Sequence, residues 1–190
     1  MKLSEYVELA CVTESVVGDI EGLNGRLLHG MIGMCTEAGE LLDALKRHFY
    51  YVKEDGTRKD LDEVNLLEEV GDLCWYMAII TDVMDLDFVK NVNDAMIYND
   101  DKESRTLLSI GAELNAVCGG NLVTMTTQGM PHLIQPLFFL VDELIIELDG
   151  KWEEVCAKNI AKLKERHGEK YSAHGVYNRD TDKERVILEA

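Results

Sequence analysis

Two short runs in the sequence could do chemistry: Glu37-Ala38-Gly39-Glu40 and Glu69-Val70-Gly71-Asp72. Each sets two carboxylates three residues apart, which on an α-helix leaves them about 60° apart on one face. Four acids gathered at the rim of an apolar stripe repel one another until a cation neutralises them, and a hard divalent cation takes oxygen ligands of this kind. Mg²⁺ fits best, because it accepts a few carboxylates, keeps waters and bridges to substrate phosphates; Mn²⁺ is its natural substitute. The plainer reading is a pair of amphipathic helices with solvated acids. Other acid-built sites lack their residues here: there is no Glu-x-x-His pair, His-Asp doublet, calcium-binding loop, phosphate-cradling Gly-x-x-x-x-Gly-Lys loop or Gly-x-Ser-x-Gly elbow.

The elements that must position these acids are helical. Apolar residues recur at helical spacing almost throughout, and the chain contains only two prolines against eight methionines. The pattern predicts a helix near Leu3–Val17, a long one from an Asn24 cap to about Tyr50, and a third started by Asp60 with Glu63 three residues on, reaching about Met84. Further helices are expected over Phe88–Tyr98, Ser104–Val117, Leu133–Leu148 and Lys151–His167. The stretch from Gly119-Gly120-Asn121 to Gln128-Gly129 reads as a loop, and 169–190 as an irregular tail. The short connector between the second and third helices predicts an antiparallel hairpin that brings the doublets face to face. Gly30, Gly33 and Ala44 share the sector of Glu37 and Glu40 and are expected to leave those acids uncrowded. On the third helix Glu69, rather than Glu68, is the expected partner of Asp72.

The chain has 190 residues and a formal net charge of −17, from 19 basic against 36 acidic side chains. That length suits one all-α domain with a real core. A surplus of acid disfavours binding to a nucleic-acid polymer or an anionic membrane. No run is long and apolar enough for a membrane span, and the N-terminus lacks a signal peptide's apolar centre, so a cytoplasmic protein is expected. Five widely spaced cysteines without a Cys-x-x-Cys pair read as reduced thiols. A faint internal echo relates the segment from Asp87 to that from Glu153 at an offset of 66, dividing the chain into pseudo-repeats 24–100 and 101–168.

The two acid doublets resemble the signature of the MazG-like all-α nucleoside triphosphate pyrophosphohydrolases, a superfamily that includes dimeric dUTPases and dCTP pyrophosphatases. It is carried by Glu37-Ala38-Gly39-Glu40-Leu41-Leu42-Asp43 and Glu68-Glu69-Val70-Gly71-Asp72-Leu73-Cys74-Trp75-Tyr76, separated by 28 residues between Glu40 and Glu69. The lead-in Arg26-Leu27-Leu28-His29-Gly30 and the distal Asn159-Ile160-Ala161-Lys162 followed by Asn178-Arg179-Asp180 are also similar. The resemblance covers 24–84 well and 151–184 less closely, and leaves 85–150 uncovered. It implies a helical bundle, a degenerate second half and a homo-oligomer, most simply a dimer.

It also implies Mg²⁺-dependent hydrolysis of a (deoxy)nucleoside triphosphate to the monophosphate and pyrophosphate, with Glu37, Glu40, Glu69 and Asp72 as catalytic, metal-holding acids. Basic residues must then meet the phosphates. Lys46–Lys59 carries five basic residues against two acids and Lys151–Lys170 six against four. The expected contacts are Asn159 and Lys162 above all, with Lys46, Lys53, Arg166 and Arg179. Tyr76 and Asn65, with Trp75 beside them, are expected to read the base, and His29 could touch substrate. The rival expectation is a non-catalytic relative, a nucleotide- or metal-binding or oligomerisation module of the same fold.

Overall fold

The computed structural model describes residues 1–15, 18–100 and 102–190. Its helices, in order, are α1 (Leu3–Val12), α2 (Gly25–Tyr50), α3 (Glu63–Val83), α4 (Phe88–Asn99), α5 (Leu107–Gln128), α6 (Ile134–Glu147), α7 (Trp152–His167), α8 (Ala173–Tyr177) and α9 (Thr181–Glu189). The described residues form no strand, only isolated bridges pairing Ile20 with Leu23 and Val52 with Arg58. The fold is all-α as expected. No helix among the described residues is long and apolar enough to cross a membrane.

Local chemistry explains most helix ends. The Asn24 side chain accepts from Leu27 N and starts α2, as its sequence predicts. α3 starts later than expected, because Asp62 rather than Asp60 provides the cap, accepting from Asn65 N. Asp60 instead stands in solvent and pairs with Lys53 at 3.0 Å. α1 ends at Val12, short of the expected Val17, and of that expectation Val16 and Val17 lie outside the described residues. The Trp75 indole closes this end by donating to Ala10 O at 3.1 Å and Thr13 Oγ1 at 3.0 Å.

Two expectations are overturned by packing. The predicted loop over 119–129 is helix: α5 runs unbroken to Gln128. Two glycines cost a helix about 1 kcal/mol each, but Cys118, Asn121 and Met125 are buried on the same element. Asn121 also clasps the following turn, accepting from His132 N and Leu133 N and donating to Leu133 O. The tail is not irregular either. Ser172 caps α8 by accepting from Gly175 N, and Asp180 caps α9 by accepting from Lys183 N.

α3 lies at the centre, packed on α2, α7, α1 and α6. Gly30 of α2 faces Ile80, Gly33 faces Tyr76, and Glu37 and Glu40 meet Glu69, so α2 and α3 run antiparallel. Leu27, Met31, Met34, Leu41 and Leu45 of α2 are buried with Leu66, Val70, Leu73 and Met77 of α3. The second half is laid out similarly, α5 pairing with α6, while α4 crosses to α6 and α7 crosses to α3. α3 and α6 also stop alike: Asp85 and Asp149 both adopt positive φ, and Leu86 N and Gly150 N bond back to Thr81 O and Ile145 O.

Candidate metal centre and its cleft

Carboxylate oxygens of Glu37, Glu40 and Glu69 all lie within 4.8 Å of one another, two from α2 and one from α3. Glu69 is buried, Glu37 half-buried and Glu40 exposed. Burial, then the charges of Asp72 and Glu40, push Glu37 up to about 7 and Glu69 up to about 8. Among the described residues none of the three has a Lys or Arg partner within ion-pair distance. Their hydrogen bonds are modest: Thr36 Oγ1 donates to Glu37 at 3.3 Å and Asn65 Nδ2 to Glu69 at 3.2 Å. An acid cluster left so uncompensated fits a hard divalent cation.

The fourth acid is employed differently. Lys162 Nζ stands 2.6 and 2.7 Å from the two oxygens of Asp72 and 3.1 Å from Glu68. Asn159 Nδ2 adds a bond of 2.8 Å to Asp72, and Tyr6 OH orients that amide from behind at 3.0 Å. Lys162 is wholly buried, so its charge is balanced inside the protein by these two carboxylates. Gly71 makes the crossing possible, since a Cβ there would sit 3.3 Å from Asn159 Cβ.

A cleft of about 530 Å³ joins these groups. Its walls include Glu37, Glu40, Glu69 and Asp72, with Asn65, Glu68, His29, Trp75 and Tyr76, and from the distal half Arg166, His167 and Arg179. His29 meets the edges of Trp75 and Tyr76 with ring centroids 5.8 and 5.5 Å away. Burial lowers the pKa of His29, whose Nδ1 is enclosed without a hydrogen-bond partner.

Several expected contacts are corrected: Lys162 and Asn159, expected above all to meet the phosphates, are buried, outside the cleft lining and bound to Asp72. Lys46 is an exposed partner of Asp43, and Lys53 of Asp60; neither lines the cleft. Both sit at the far end of α2 or in its connector, where nearer acids take them. Gly30 and Gly33 do not clear space for the acids. A Cβ on Gly33 would lie 2.1 Å from Tyr76 Cε1, and one on Gly30 2.7 Å from Ile80 Cγ1, so the glycines admit α3 side chains.

Glu68, not Glu69, stands with Asp72. It shares Lys162 with Asp72, whereas Glu69 joins the α2 acids. The signal was present: residues four apart lie about 40° apart on a helix, closer than residues three apart. Glu184, which bonds both cleft arginines, carried no such signal because its partners lie on other elements.

Comparison of the chain with family models, with curated proteins and with solved structures found no match.

Proposed function

We propose that the protein is a Mg²⁺-dependent hydrolase that cleaves a (deoxy)nucleoside triphosphate to the monophosphate and pyrophosphate. One observation carries the reading: three unpaired carboxylates within 4.8 Å of one another stand in a cleft whose distal wall presents Arg166 and Arg179. Glu37, Glu40 and Glu69 would hold the cation. A divalent cation there supplies charge neutralisation to a polyphosphate and acidity to water.

The chain's own groups do the rest. Arg166 and Arg179 bind anionic oxygens. Lys162 and Asn159 hold Asp72 at the cleft wall, and Trp75, Tyr76 and His29 offer aromatic edges to a base. A water oxygen attacks the α-phosphorus, the bond to the bridging oxygen breaks, and a carboxylate, Glu37 or Glu40, takes the water's proton. The 101–168 half is then a degenerate second copy that buttresses the site through α5 on α2 and through α6 and α7 on α3, and the active form is a homo-oligomer.

The test is incubation with a panel of canonical and modified nucleoside triphosphates plus Mg²⁺, with products resolved by chromatography. Monophosphate with pyrophosphate is expected, and Glu40→Ala should lower turnover at least about 100-fold without unfolding the protein. Diphosphate with orthophosphate would contradict the chemistry. A second reading, a nucleotide- or metal-binding module without turnover, draws on the engagement of Asp72 by Lys162 and Asn159. Binding of a triphosphate with no product would favour it.

A further inference from the structure

Arg166 and Arg179 reach the cleft from different places, one from the last turn of α7 and one from the link between α8 and α9, yet one carboxylate meets both. Glu184 Oε1 accepts from Arg166 Nε at 2.9 Å, and Oε2 accepts from Arg166 Nη2 at 2.8 Å and Arg179 Nη2 at 2.7 Å. The Glu184 side chain is 3% exposed, against 14% for Arg166 and 42% for Arg179. The arginines line the cleft and Glu184 does not, so the carboxylate stands behind them. Glu184 answers the pair from behind, while on the cleft side Glu68 Oε1 stands 3.8 Å from Arg179 Nη2, so an incoming anion meets two guanidinium groups with one carboxylate beside them.

The helix carrying Glu184 is itself fastened at two further points. Lys158 Nζ donates to Leu188 O at 2.7 Å, and Arg185 reaches Asp62, the cap of α3, at 2.9 Å. The position of the carboxylate is therefore set by α7 and α3 together. A lone arginine on a surface explores many rotamers and must give them up when it binds an anion; a fork already held from behind has less freedom to lose.

We propose that Glu184 is a positioning residue, which holds Arg166 and Arg179 as one rigid pair of guanidinium groups turned to receive the anionic oxygens of a polyphosphate. This rests on the nucleotide reading above and adds to it a role for α9. Two other roles for the same contacts make opposite predictions. If Glu184 only fastened α9 to α7, its loss would lower stability without changing anion binding. If it acted as an internal competitor for the arginines, its loss would tighten anion binding.

The experiment titrates the wild-type protein, Glu184→Gln and Glu184→Asp with magnesium tripolyphosphate by calorimetry, and melts each without ligand. The wild type should bind, and Glu184→Gln should weaken binding about tenfold, since the amide has no charge and one acceptor oxygen in place of two, and its NH₂ meets a guanidinium N–H that the carboxylate accepted. Glu184→Asp keeps the charge but withdraws it by one methylene, and should weaken binding by a smaller factor. It decides the matter if Glu184→Gln does not fold. Wild-type affinity in a folded variant, or tighter binding, overturns the positioning role. If the wild type itself fails to bind tripolyphosphate, the polyphosphate reading of the cleft falls, and this inference with it.

Discussion

Glu37 and Glu69 retain protons at pH values where ordinary carboxylates have lost them, because burial and the charges of Asp72 and Glu40 penalise ionisation. Their stabilising contribution is present below the usual carboxylate pKa and is lost as pH rises through about 7 and about 8. A cation must displace those protons at low pH and need not at high pH. Added Mg²⁺ should therefore raise the melting temperature more at about pH 8.5 than at about pH 6, as thermal denaturation would show; an equal shift at both would place the metal elsewhere. Lys162 is the opposite case, a buried cation with two acids. Lys162→Met should cost about 2–3 kcal/mol in denaturant unfolding, below the full cost of breaking a wholly buried pair, because Asp72 and Glu68 keep some contact with water.

The contact between α2 and α3 depends on the absence of side chains at Gly30 and Gly33. The Tyr76 ring occupies the space a Gly33 side chain would need, and Tyr76 in turn packs edge-on to Trp75 with centroids 4.9 Å apart. Since Trp75 also holds the end of α1 through Ala10 and Thr13, one glycine supports a chain of contacts across three helices. Gly33→Ala should destabilise by about 1–3 kcal/mol despite alanine's better helix propensity, because the ring has to shift in a close-packed interior. A rise in stability would show that Tyr76 can move at no cost. The same substitution at Gly39, where nothing lies within 4 Å of an added Cβ, should be neutral or mildly stabilising.

Across the whole molecule the charge of −17 is unevenly distributed. Acids prevail on the surface, while the distal wall of the cleft gathers Arg166, Arg179 and His167 across from the carboxylates. That arrangement disfavours a long polyanion and leaves room for a small one once a cation is present. Much of the frame was legible in the sequence. Asn24 and the apolar stripe of α2 place that helix from end to end, and the doublets on α2 and α3 point to a shared site, because helix periodicity and caps depend on groups within a few residues of each other. Structure departs from local pattern where distant groups intervene: the Trp75 indole ends α1, Asn121 and its neighbours carry α5 through Gly119 and Gly120, and α7 and α3 anchor the tail as α9. Sequence alone determined the all-α fold and the pairing of Glu37 with Glu40 on one helix face, whose spacing is a local property, while the meeting of both with Glu69 needed the packing of α2 on α3. Only tertiary structure decided that Asp72 belongs to Lys162, 90 residues away, and that Glu184 stands behind two arginines, because a charge in a folded chain is answered by whatever the packing of other helices sets beside it.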